Sequence, residues 1–335
     1  METLKRLPPK WLAWLLVLIL AIAIPPVIGG YLTSLLILIS IWVIMTISIN
    51  LIYGYTGQLS LGHAGFFAMG AYSLGLLTVT MGLSFWPAFL VSIAIVGLGG
   101  LLIGFPSLKS RGPYFVLVTL SFAVIIHKII VHWDSLTGGA NGFRGIPRPP
   151  SIPLPFHAEI SFRSQLSIYY LILFFLVLIF LVNYRLVHSL VGKTFVAISR
   201  DENLSQSLGI NTMRRKLLSF VISTMYAGVA GMLFATYNSV ITPHLAHFTQ
   251  GMNAIVYLVV GGSATMAGPF VGTLVLVAIP EVLQMVPYLK TLINGLILLL
   301  FIIFLPAGIT GGVSFLIPNL ESVLRRLRKE GYGTA

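Results

Sequence analysis

The sequence predicts an all-α polytopic membrane protein with about ten transmembrane helices, some of them broken by glycine-rich segments. Of its 335 residues, 57% are hydrophobic and only 8% are charged, whereas soluble domains carry roughly 25% charged residues. A soluble core cannot absorb so much apolar surface. The apolar residues also form runs near the roughly 20 residues that a helix needs to cross a bilayer. The predicted spans are 11–28, 31–52, 64–81, 86–105, 114–133, 166–184, 217–240, 252–268, 270–286 and 291–308.

Two parts of this set of spans admit a second interpretation. The first run, 11–28, follows Lys5 and Arg6 and contains an Ala-Ile-Ala sequence at 21–23, a pattern that is typical of a cleaved signal peptide. Its apolar length and the second run close behind it favour a retained helix. The two runs between 252 and 286 are the shortest, so the exact span count depends on them.

A polar segment rich in glycine, GYTGQLSLGHAG at 54–65, separates the second and third runs. Irregular backbone at membrane depth is tolerated only inside protein or along a wet cavity, and broken segments of this kind often surround a transport path. Small residues also allow close helix packing, so both interpretations stay open. Polar residues of two neighbouring runs are included in the candidate path. Its residues are Asn50, Gly57, Gln58, Ser60, Gly62, His63, Gly65 and Asn253.

Fifteen of the 20 lysines and arginines lie in four clusters, within 5–10, 109–111, 185–216 and 325–329. With ten spans, all four clusters lie on one side of the membrane. The positive-inside tendency makes that side cytoplasmic, with both termini inside. Topology therefore explains the formal net charge of +12, and no nucleic-acid partner is needed. The chain has no cysteine, which excludes disulfides and thiolate metal sites.

The longest predicted extracytoplasmic connection is 134–165, called here the outer loop. The sequence GGANG at 138–142 is typical of turns, and five prolines between 147 and 155 make the loop stiff and largely non-helical. A loop of this length is more often functional than a short connector is. It either receives an external partner or covers the end of the bundle, and the residues do not decide between the two.

The main cytoplasmic connection is 188–216, called here the coupling loop. Ser199 as N-cap and Glu202 at the third helical position form a capping box, and Gly209 has the place of a glycine that ends a helix. A short helix at about 200–208 is predicted. Its apolar side chains pack against the span ends or bind a cytoplasmic subunit, and both alternatives stay open. The candidate contact residues are Phe195, Ile198, Arg200, Asp201, Glu202, Leu208 and Gly209.

Signals for catalysis, cofactors and metals are weak. Gly192-Lys193-Thr194 resembles the end of a phosphate-binding loop, but Val187 occupies the position where that loop needs a glycine. We therefore predict no ATPase site, no enzymatic activity, no bound cofactor and no metal. The spacing of His127 and His132 does not place them on one helix face. For a histidine near a span end, an interfacial or capping role is more common than metal ligation. The histidines near the predicted span ends are His63, His244 and His247.

Charge within the predicted spans is confined to two residues. Lys128 lies near the end of its span, where its ammonium group can reach the interface, and Glu281 follows Pro280. Intramembrane charges are costly and often functional. Carriers driven by protons or sodium usually have more acidic residues in their spans than this chain has. The energy source for any transport is therefore predicted to lie on another chain.

Six segments, in order along the chain, resemble one family of membrane proteins. They resemble the permease subunit of ATP-binding-cassette importers for branched-chain amino acids, of the LivM-like kind. The resemblance covers about 40–310 and adds Gly261 and Gly262 to the candidate path. The segments are GQLSLGHAGFF at 57–67, GPYFVLVTL at 112–120, TGGANG at 137–142, VGKTFVAI at 191–198, AGVAG at 227–231 and GPFVG at 268–272.

The resemblance implies a heteromeric importer in a bacterial-type cytoplasmic (inner) membrane. This chain would pair with a second, LivH-like permease. Two cytoplasmic ATP-binding subunits would bind ATP, and an extracytoplasmic substrate-binding protein would deliver the substrate. The chain would comprise a transmembrane permease domain, 1–317, and a basic cytoplasmic tail, 318–335. Arg200 is displaced by one position from the family pattern, Ala264 replaces a common glycine and Ala307 replaces a common arginine.

Two further functions compete with this interpretation. Permeases for urea or short amides resemble the same family, so the substrate stays open. A self-contained secondary transporter or channel would use Lys128 and Glu281 for coupling or selection and would need no cytoplasmic ATPase. Dependence of transport on ATPase subunits separates that class from an importer subunit. A membrane enzyme has no supporting constellation of acidic, basic or metal-binding residues.

Overall fold

The computed structural model describes residues 10–110, 112–153, 159–282, 295 and 308–311. Several predicted features lie outside these residues: Lys5 and Arg6, the side chain of Glu281, all of the span 291–308 except residues 295 and 308, and the tail 318–335. The helices are α1 Lys10–Ala23, α2 Gly30–Ile49, α3 His63–Gly75, α4 Phe85–Ser107, α5 Pro113–His132, α6 Asp134–Thr137, α7 Gln165–His188, α8 Leu190–Arg200, α9 Glu202–Ser207, α10 Thr212–Asn238, α11 Phe248–Gly261 and α12 Gly268–Val282.

The structure confirms a predominantly helical protein with several membrane-capable helices. Five segments of its described part are long and apolar enough to cross a bilayer. Three shorter apolar helices, Trp14–Ala23, Phe248–Gly261 and Gly268–Ala278, accompany them. The count of ten spans stays a prediction. The five long segments are Gly30–Tyr55, Phe85–Ser107, Pro113–His132, Gln165–His188 and Thr212–Asn238.

Helix α2 lies at the centre of the bundle. In its most apolar 18-residue window, 78% of the residues are buried, against 39% in α4 and 28% in α5. It packs against α7, α10, α11 and α12. Since α4 and α5 leave many large apolar side chains exposed, these two helices are placed at the periphery, where a bilayer or another membrane chain can cover them.

Helices α3 and α10 approach so closely that their backbones touch. A Cβ atom added at Gly70 would overlap the backbone of Gly228, and one added at Gly231 would overlap the carbonyl of Phe67. Small residues permit this separation, which is a common way for membrane helices to associate without a hydrophobic driving force. Gly70 and Gly231 therefore allow α3 and α10 to pack closely, whereas the absent Cβ of Gly228 makes room for Val96 of α4.

The predicted boundary between the runs 252–268 and 270–286 was wrong. The sequence placed it at 269, but α11 ends at Gly261 and the connection runs from 262 to 267. Gly262 has a φ of 111°, and Ala264 has a positive φ of 57°. Positive φ is uncommon outside glycine, so the turn could not be located from the apolar pattern. The other described spans begin and end within a few residues of their predicted limits.

Short strands modify the all-α prediction. Strands β1 Phe143–Arg144 and β4 Val240–Ile241 pair antiparallel, with Phe143 opposite Ile241. A second pair joins β2 Ile152–Pro153 to β3 Glu159–Ile160 within the outer loop. Two-residue strands are too short for a recognisable alternation of side chains, so they could not be predicted from the residues. The described part of the outer loop is otherwise short turns of helix and irregular backbone, as predicted.

Three imidazole rings lie together where α5, α10 and α11 end or begin. The ring of His247 lies 5.8 Å from that of His244, with the planes almost parallel, and 5.8 Å from that of His127. His127 bonds the carbonyl of Pro243 through Nδ1, and His247 contacts the Thr249 hydroxyl through Nδ1. These histidines hold the short helix Pro243–Ala246 and the start of α11.

We expect acid to loosen this end of the bundle. Burial, followed by the nearby His244 and His127, lowers the pKa of His247 below its ordinary value of about 6.5. The unfolded chain therefore binds more protons than the folded one, and stability is lost as the pH falls below about 6.5. Hydrogen exchange of the amides at 243–250, corrected for intrinsic rates, should rise as the pH falls from about 7.5 to about 5.

The variant His247→Gln provides the control for this prediction. It removes the titrating group and keeps a hydrogen-bonding side chain. Its exchange rates should depend much less on pH than those of the native chain. Equal pH dependence in the two proteins would show that His247 does not destabilise this segment in acid.

Candidate functional site

The predicted break is a real interruption of helical structure. Helix α2 continues as a π-helix, Asn50–Tyr55, and regular structure resumes at His63, where α3 begins. π-Helical turns are rare and are frequent at functional sites. Gly57 has a φ of 74°, which glycine adopts without steric cost. The Thr56 hydroxyl lies 2.7 Å from the Ser219 hydroxyl of α10, so α10 holds the break on one side.

His63 lies in the protein interior rather than at an interface. The side chain is completely buried, and its two ring nitrogens lie 3.1 Å from the Ser60 hydroxyl and 3.2 Å from the Ser223 hydroxyl. The sequence placed this histidine near a span end, and α3 does begin at His63; the expected interfacial role is not observed, because the ring is buried inside the bundle. Its two hydroxyl partners satisfy the ring and allow it to be buried without a charge.

The remaining residues of the break separate into accessible and packed positions. Gly57 is exposed and Gln58 is partly exposed. Gly62 and Gly65 are buried against α5: an added Cβ atom would lie 2.8 Å from the carbonyl oxygen of Thr119 and 3.1 Å from Ala123, respectively. In this conformation the break is thus accessible at its first residues and closely packed at its last.

Asn50 connects the break to the turn between α11 and α12. Its side chain is 1% exposed. The amide nitrogen donates to the carbonyl of Thr265 at 2.8 Å, and the amide oxygen accepts from the backbone N–H of Ala264 at 2.9 Å. Both of these backbone groups lie in an irregular segment with no helical partner. Asn50 therefore provides these two backbone groups with the hydrogen bonds that they would find within a helix.

Two of the other three candidate path residues lie at this turn. Gly261 and Gly262 are buried, and a Cβ atom at Gly261 would overlap the carbonyl oxygen of Gly268 and lie 2.8 Å from the backbone nitrogen of Gly272. These glycines therefore allow α11 and α12 to meet. Asn253 is exposed on α11, and its side chain is not brought to the turn that Asn50 binds.

The coupling loop folds into two helices rather than one. Helix α8 runs from Leu190 to Arg200, and α9 follows after a single residue. The predicted N-cap was wrong: Ser199 lies inside α8, and Asp201 caps α9 by accepting the backbone N–H of Leu204 at 2.9 Å. An aspartate in extended conformation caps a helix as well as serine does. The capping-box pattern favoured Ser199 because Glu202 follows it by three residues, whereas Leu204 has the corresponding position after Asp201.

Gly209 ends α9 in the predicted way. It has a φ of 84°. Its N–H donates to the carbonyl of Gln206 at 2.9 Å, and the N–H of Ile210 donates to the carbonyl of Ser205 at 3.1 Å. These two bonds form a Schellman motif, which satisfies carbonyls that the helix end leaves free.

The coupling loop has an inner and an outer apolar face. Phe195 and Ile198 are 0% and 4% exposed and pack inward. Leu190, Leu204 and Leu208 are between 58% and 80% exposed. Beside Leu204 and Leu208 lies a groove of about 420 Å³. Its charged lining consists of Lys193, Arg200 and Asp201.

Glu202 faces the bundle instead of the groove. One carboxylate oxygen lies 2.6 Å from Nζ of Lys216 on α10, and the other accepts from the Thr212 hydroxyl at 3.3 Å. This is the one ion pair within the described ranges. The loop also reaches the break directly, because an added Cβ atom at Gly57 would lie 3.0 Å from Cβ of Ser199. Sequence reasoning missed both contacts, because neither follows from local spacing.

Replacing Gly209 by Val should weaken the end of α9. No atom lies within 4 Å of an added Cβ atom, so the cost comes from the backbone, which a β-branched residue resists at positive φ. We expect a loss of about 1–3 kcal/mol in local stability and weaker binding of any partner that contacts Leu208. Thermal unfolding and a pull-down assay measure the two effects.

Asparagine tolerates the left-handed conformation better than other residues, so Gly209→Asn is the matched control and should behave nearly as the native chain does. If Gly209→Val were also indistinguishable from native, the turn at Gly209 would have no bearing on the groove.

Charge and metal ligands contribute little to the described bundle. No group of three His, Cys, Asp or Glu residues that could hold a metal ion occurs among the residues that the structure describes. Lys128 is exposed on α5, away from the break. The candidate site is therefore built from amides, hydroxyls, one imidazole and backbone groups. Such a lining suits a small, uncharged or zwitterionic solute.

Comparison with known proteins gives one consistent result. Residues 31–305 match the family model described as "Branched-chain amino acid transport system / permease component". The chain is 30% identical over 309 residues to the high-affinity branched-chain amino acid transport system permease protein LivM of Escherichia coli, covering 87% of this chain and 73% of that protein. It is 26% identical to the corresponding LivH protein of Escherichia coli, over 85% of this chain and 94% of LivH. No solved structure matches the chain.

Proposed function

The chain belongs to the family of permease components of branched-chain amino acid transport systems, and we propose that it is a membrane-spanning subunit of an ATP-driven importer for branched-chain amino acids. The family match over 31–305 carries this proposal, since it covers every described span but the first. The apolar and amide-rich character of the bundle supports a hydrophobic amino acid as the solute. ATP hydrolysis would belong to separate subunits.

The resemblance and the surfaces described above together support the following partners. A second, LivH-like permease would cover exposed faces of the bundle, and this chain resembles both LivM and LivH proteins. Of two ATP-binding subunits, one would bind at the exposed leucines of this chain's coupling loop, where the groove beside Leu204 and Leu208 supplies a partly apolar seat. A substrate-binding protein would bind at the outer loop. The membrane would be the inner membrane, with both termini cytoplasmic.

The break at 57–65 would line part of the substrate path. The exposure of Gly57 and the partial exposure of Gln58 support this proposal, and so does the π-helical turn before them. The buried residues Ser60 and His63 would become accessible when the path opens. Asn50, Gly261 and Gly262 would shape the turn opposite the break.

Uptake by reconstituted vesicles tests the main proposal. Vesicles that contain this chain and its second permease should accumulate labelled leucine only when the ATPase subunits, the binding protein and ATP are all present. Excess isoleucine should compete, whereas excess urea or acetamide should not. Uptake without the ATPase subunits would instead identify a self-contained transporter. Competition by urea alone would identify an amide permease.

Thiol labelling tests the path. The chain has no cysteine of its own, so Gln58→Cys introduces a single reactive position. A charged, water-soluble thiol reagent should modify it, and substrate should slow the modification. The control is Leu102→Cys, which is 69% exposed on the outside of α4 and would face lipid. Protection of Gln58→Cys equal to that of Leu102→Cys in every nucleotide state would assign the break to packing alone.

Reporter fusions test the orientation. Fusions after Arg163, in the outer loop, and after Arg214, in the coupling loop, should report opposite sides of the membrane. Finding both on one side would contradict the proposed orientation and the cytoplasmic position of the coupling loop.

A further inference from the structure

We propose that α10 carries movement of the coupling loop to the break, and that Lys216 is the positioning residue that fixes the loop to this helix. The inference rests on the proposed function and adds to it a specific structural connection within this chain. It arises from three contacts on one face of α10. One of them is with α9, and the other two are with the two ends of the break.

The first contact joins α9 to the beginning of α10. Nζ of Lys216 lies 2.6 Å from the Glu202 carboxylate, and the Lys216 side chain is 6% exposed against 28% for Glu202. Gln206 adds a bond of 2.9 Å to the Thr212 hydroxyl, which itself donates to Glu202. A partly buried pair of this kind is screened less than an exposed one, and its charge-assisted hydrogen bond favours one geometry. Because both Glu202 oxygens have partners within the chain, Glu202 holds α9 in place and leaves Leu204 and Leu208 to meet a partner.

The second and third contacts join α10 to the break. The Ser219 hydroxyl lies 2.7 Å from that of Thr56, just before Gly57. The Ser223 hydroxyl lies 3.2 Å from Nε2 of His63, just after the irregular segment. Both ends of the irregular segment are therefore held by α10. These are buried contacts, and separating them without new partners is costly.

The three residues lie on one face of a rigid element. Lys216, Ser219 and Ser223 are spaced three and four positions apart, which places them on the same side of a helix. The distance from the first to the last along the axis is about 10 Å. Over two helical turns a hydrogen-bonded helix moves as one body. A displacement of α9 that is transmitted through Lys216 therefore has to shift or break the hydroxyl contacts at Thr56 and His63.

Lys216→Met tests this inference, since methionine keeps the apolar length of the side chain and removes the charge. Three quantities are measured in the reconstituted complex: affinity for the ATPase subunits, stimulation of ATP hydrolysis by substrate, and leucine uptake per ATP. We expect the affinity for the ATPase subunits to change by no more than about twofold. The stimulation of ATP hydrolysis by substrate and the leucine uptake per ATP should each fall about tenfold, a change of the size that typical coupling free energies produce. Lys128→Met, at an exposed lysine on α5, should leave all three unchanged.

Two further variants separate coupling from simple stability. Lys216→Arg keeps the positive charge and should recover most of the uptake per ATP. Combining Glu202→Gln with Lys216→Met should cost little more than Lys216→Met alone, because paired residues acting as a unit are not additive. If Lys216→Met fails to insert, Ser223→Ala at the other end of the face is measured instead and should show the same loss of uptake per ATP.

The alternative outcomes are distinct. In one such outcome, Lys216→Met lowers uptake only as much as it lowers ATPase binding, and uptake per ATP is unchanged. This result would overturn the inference, because Lys216 would then only stabilise the position of α9. Unchanged stimulation and uptake in Lys216→Met would overturn it too. Failure of the native chain to bind or need ATPase subunits would refute the proposed function itself, and it is detected in the same assay before any variant is compared.

Discussion

Replacing Gly231 by Ala is expected to destabilise the packing of α10 against α3 strongly, although it adds only one methyl group. The new Cβ atom would overlap the carbonyl oxygen of Phe67 and lie 2.7 Å from its carbon. Both atoms belong to the backbone of α3, so neither can move away by rotation as a side-chain atom can. Overpacking usually costs 1–3 kcal/mol, and a clash with backbone should reach the upper end, about 3 kcal/mol or more.

Thermal unfolding of the purified chain and the amount of inserted protein measure this effect. The matched control is Gly30→Ala, another helical glycine, where the nearest atom to an added Cβ is Gln165 Oε1 at 3.5 Å. That variant should be as stable as native or slightly more stable, because alanine favours helix over glycine. Equal unfolding temperatures for the two variants would mean that α3 and α10 do not pack as closely as described.

Replacing Asn50 by Leu should abolish transport with a smaller effect on insertion. The change removes the partners of the Ala264 N–H and the Thr265 carbonyl. Thr265 is half-buried and Ala264 is exposed, so water replaces part of the lost bonding, and the turn between α11 and α12 should lose about 1–3 kcal/mol of local stability. We expect leucine uptake to fall at least tenfold, while binding of ATPase subunits to the exposed leucines of the coupling loop should be retained.

Asn253→Leu is the control for this prediction, because it changes the same residue type at an exposed position of α11. It should retain most of the uptake. A similar loss in both variants would indicate that Asn253 also contributes to the path. Near-native uptake by Asn50→Leu would mean that the turn at 262–267 holds its shape without the amide.

The sequence predicted the helical framework because membrane spans are defined by length and apolarity, which are local properties. The limits of α4 and α5 agree closely with the predicted runs for this reason. The Schellman turn at Gly209 was also predictable, since it depends on one residue that tolerates positive φ. Pairing of β1 with β4 was not, because it joins segments far apart in the chain and each strand has only two residues.

The candidate site was predicted less completely. Residue type identified Asn50, His63 and Glu202 as chemically significant, but their partners came from α10 and from the turn before α12. Glu202 was a candidate contact for a cytoplasmic subunit, and the structure shows that its carboxylate binds Lys216 and Thr212. Ser219 and Ser223 were overlooked, because an isolated serine in an apolar helix is unremarkable until its neighbour is known. Long-range contacts of this kind have no signature in a single sequence.

The bond between Asn50 and the turn at Ala264 also sets an order of events during synthesis. The two residues are separated by 214 positions, and a ribosome adds about 5–20 residues per second. Asn50 therefore waits roughly 10–40 s in the membrane before its permanent partner is made. During that interval its amide must be hydrated or bound by the insertion machinery, since lipid chains have no hydrogen-bonding groups. Nascent chains halted before residue 264 should consequently be the most vulnerable to proteolysis of α2.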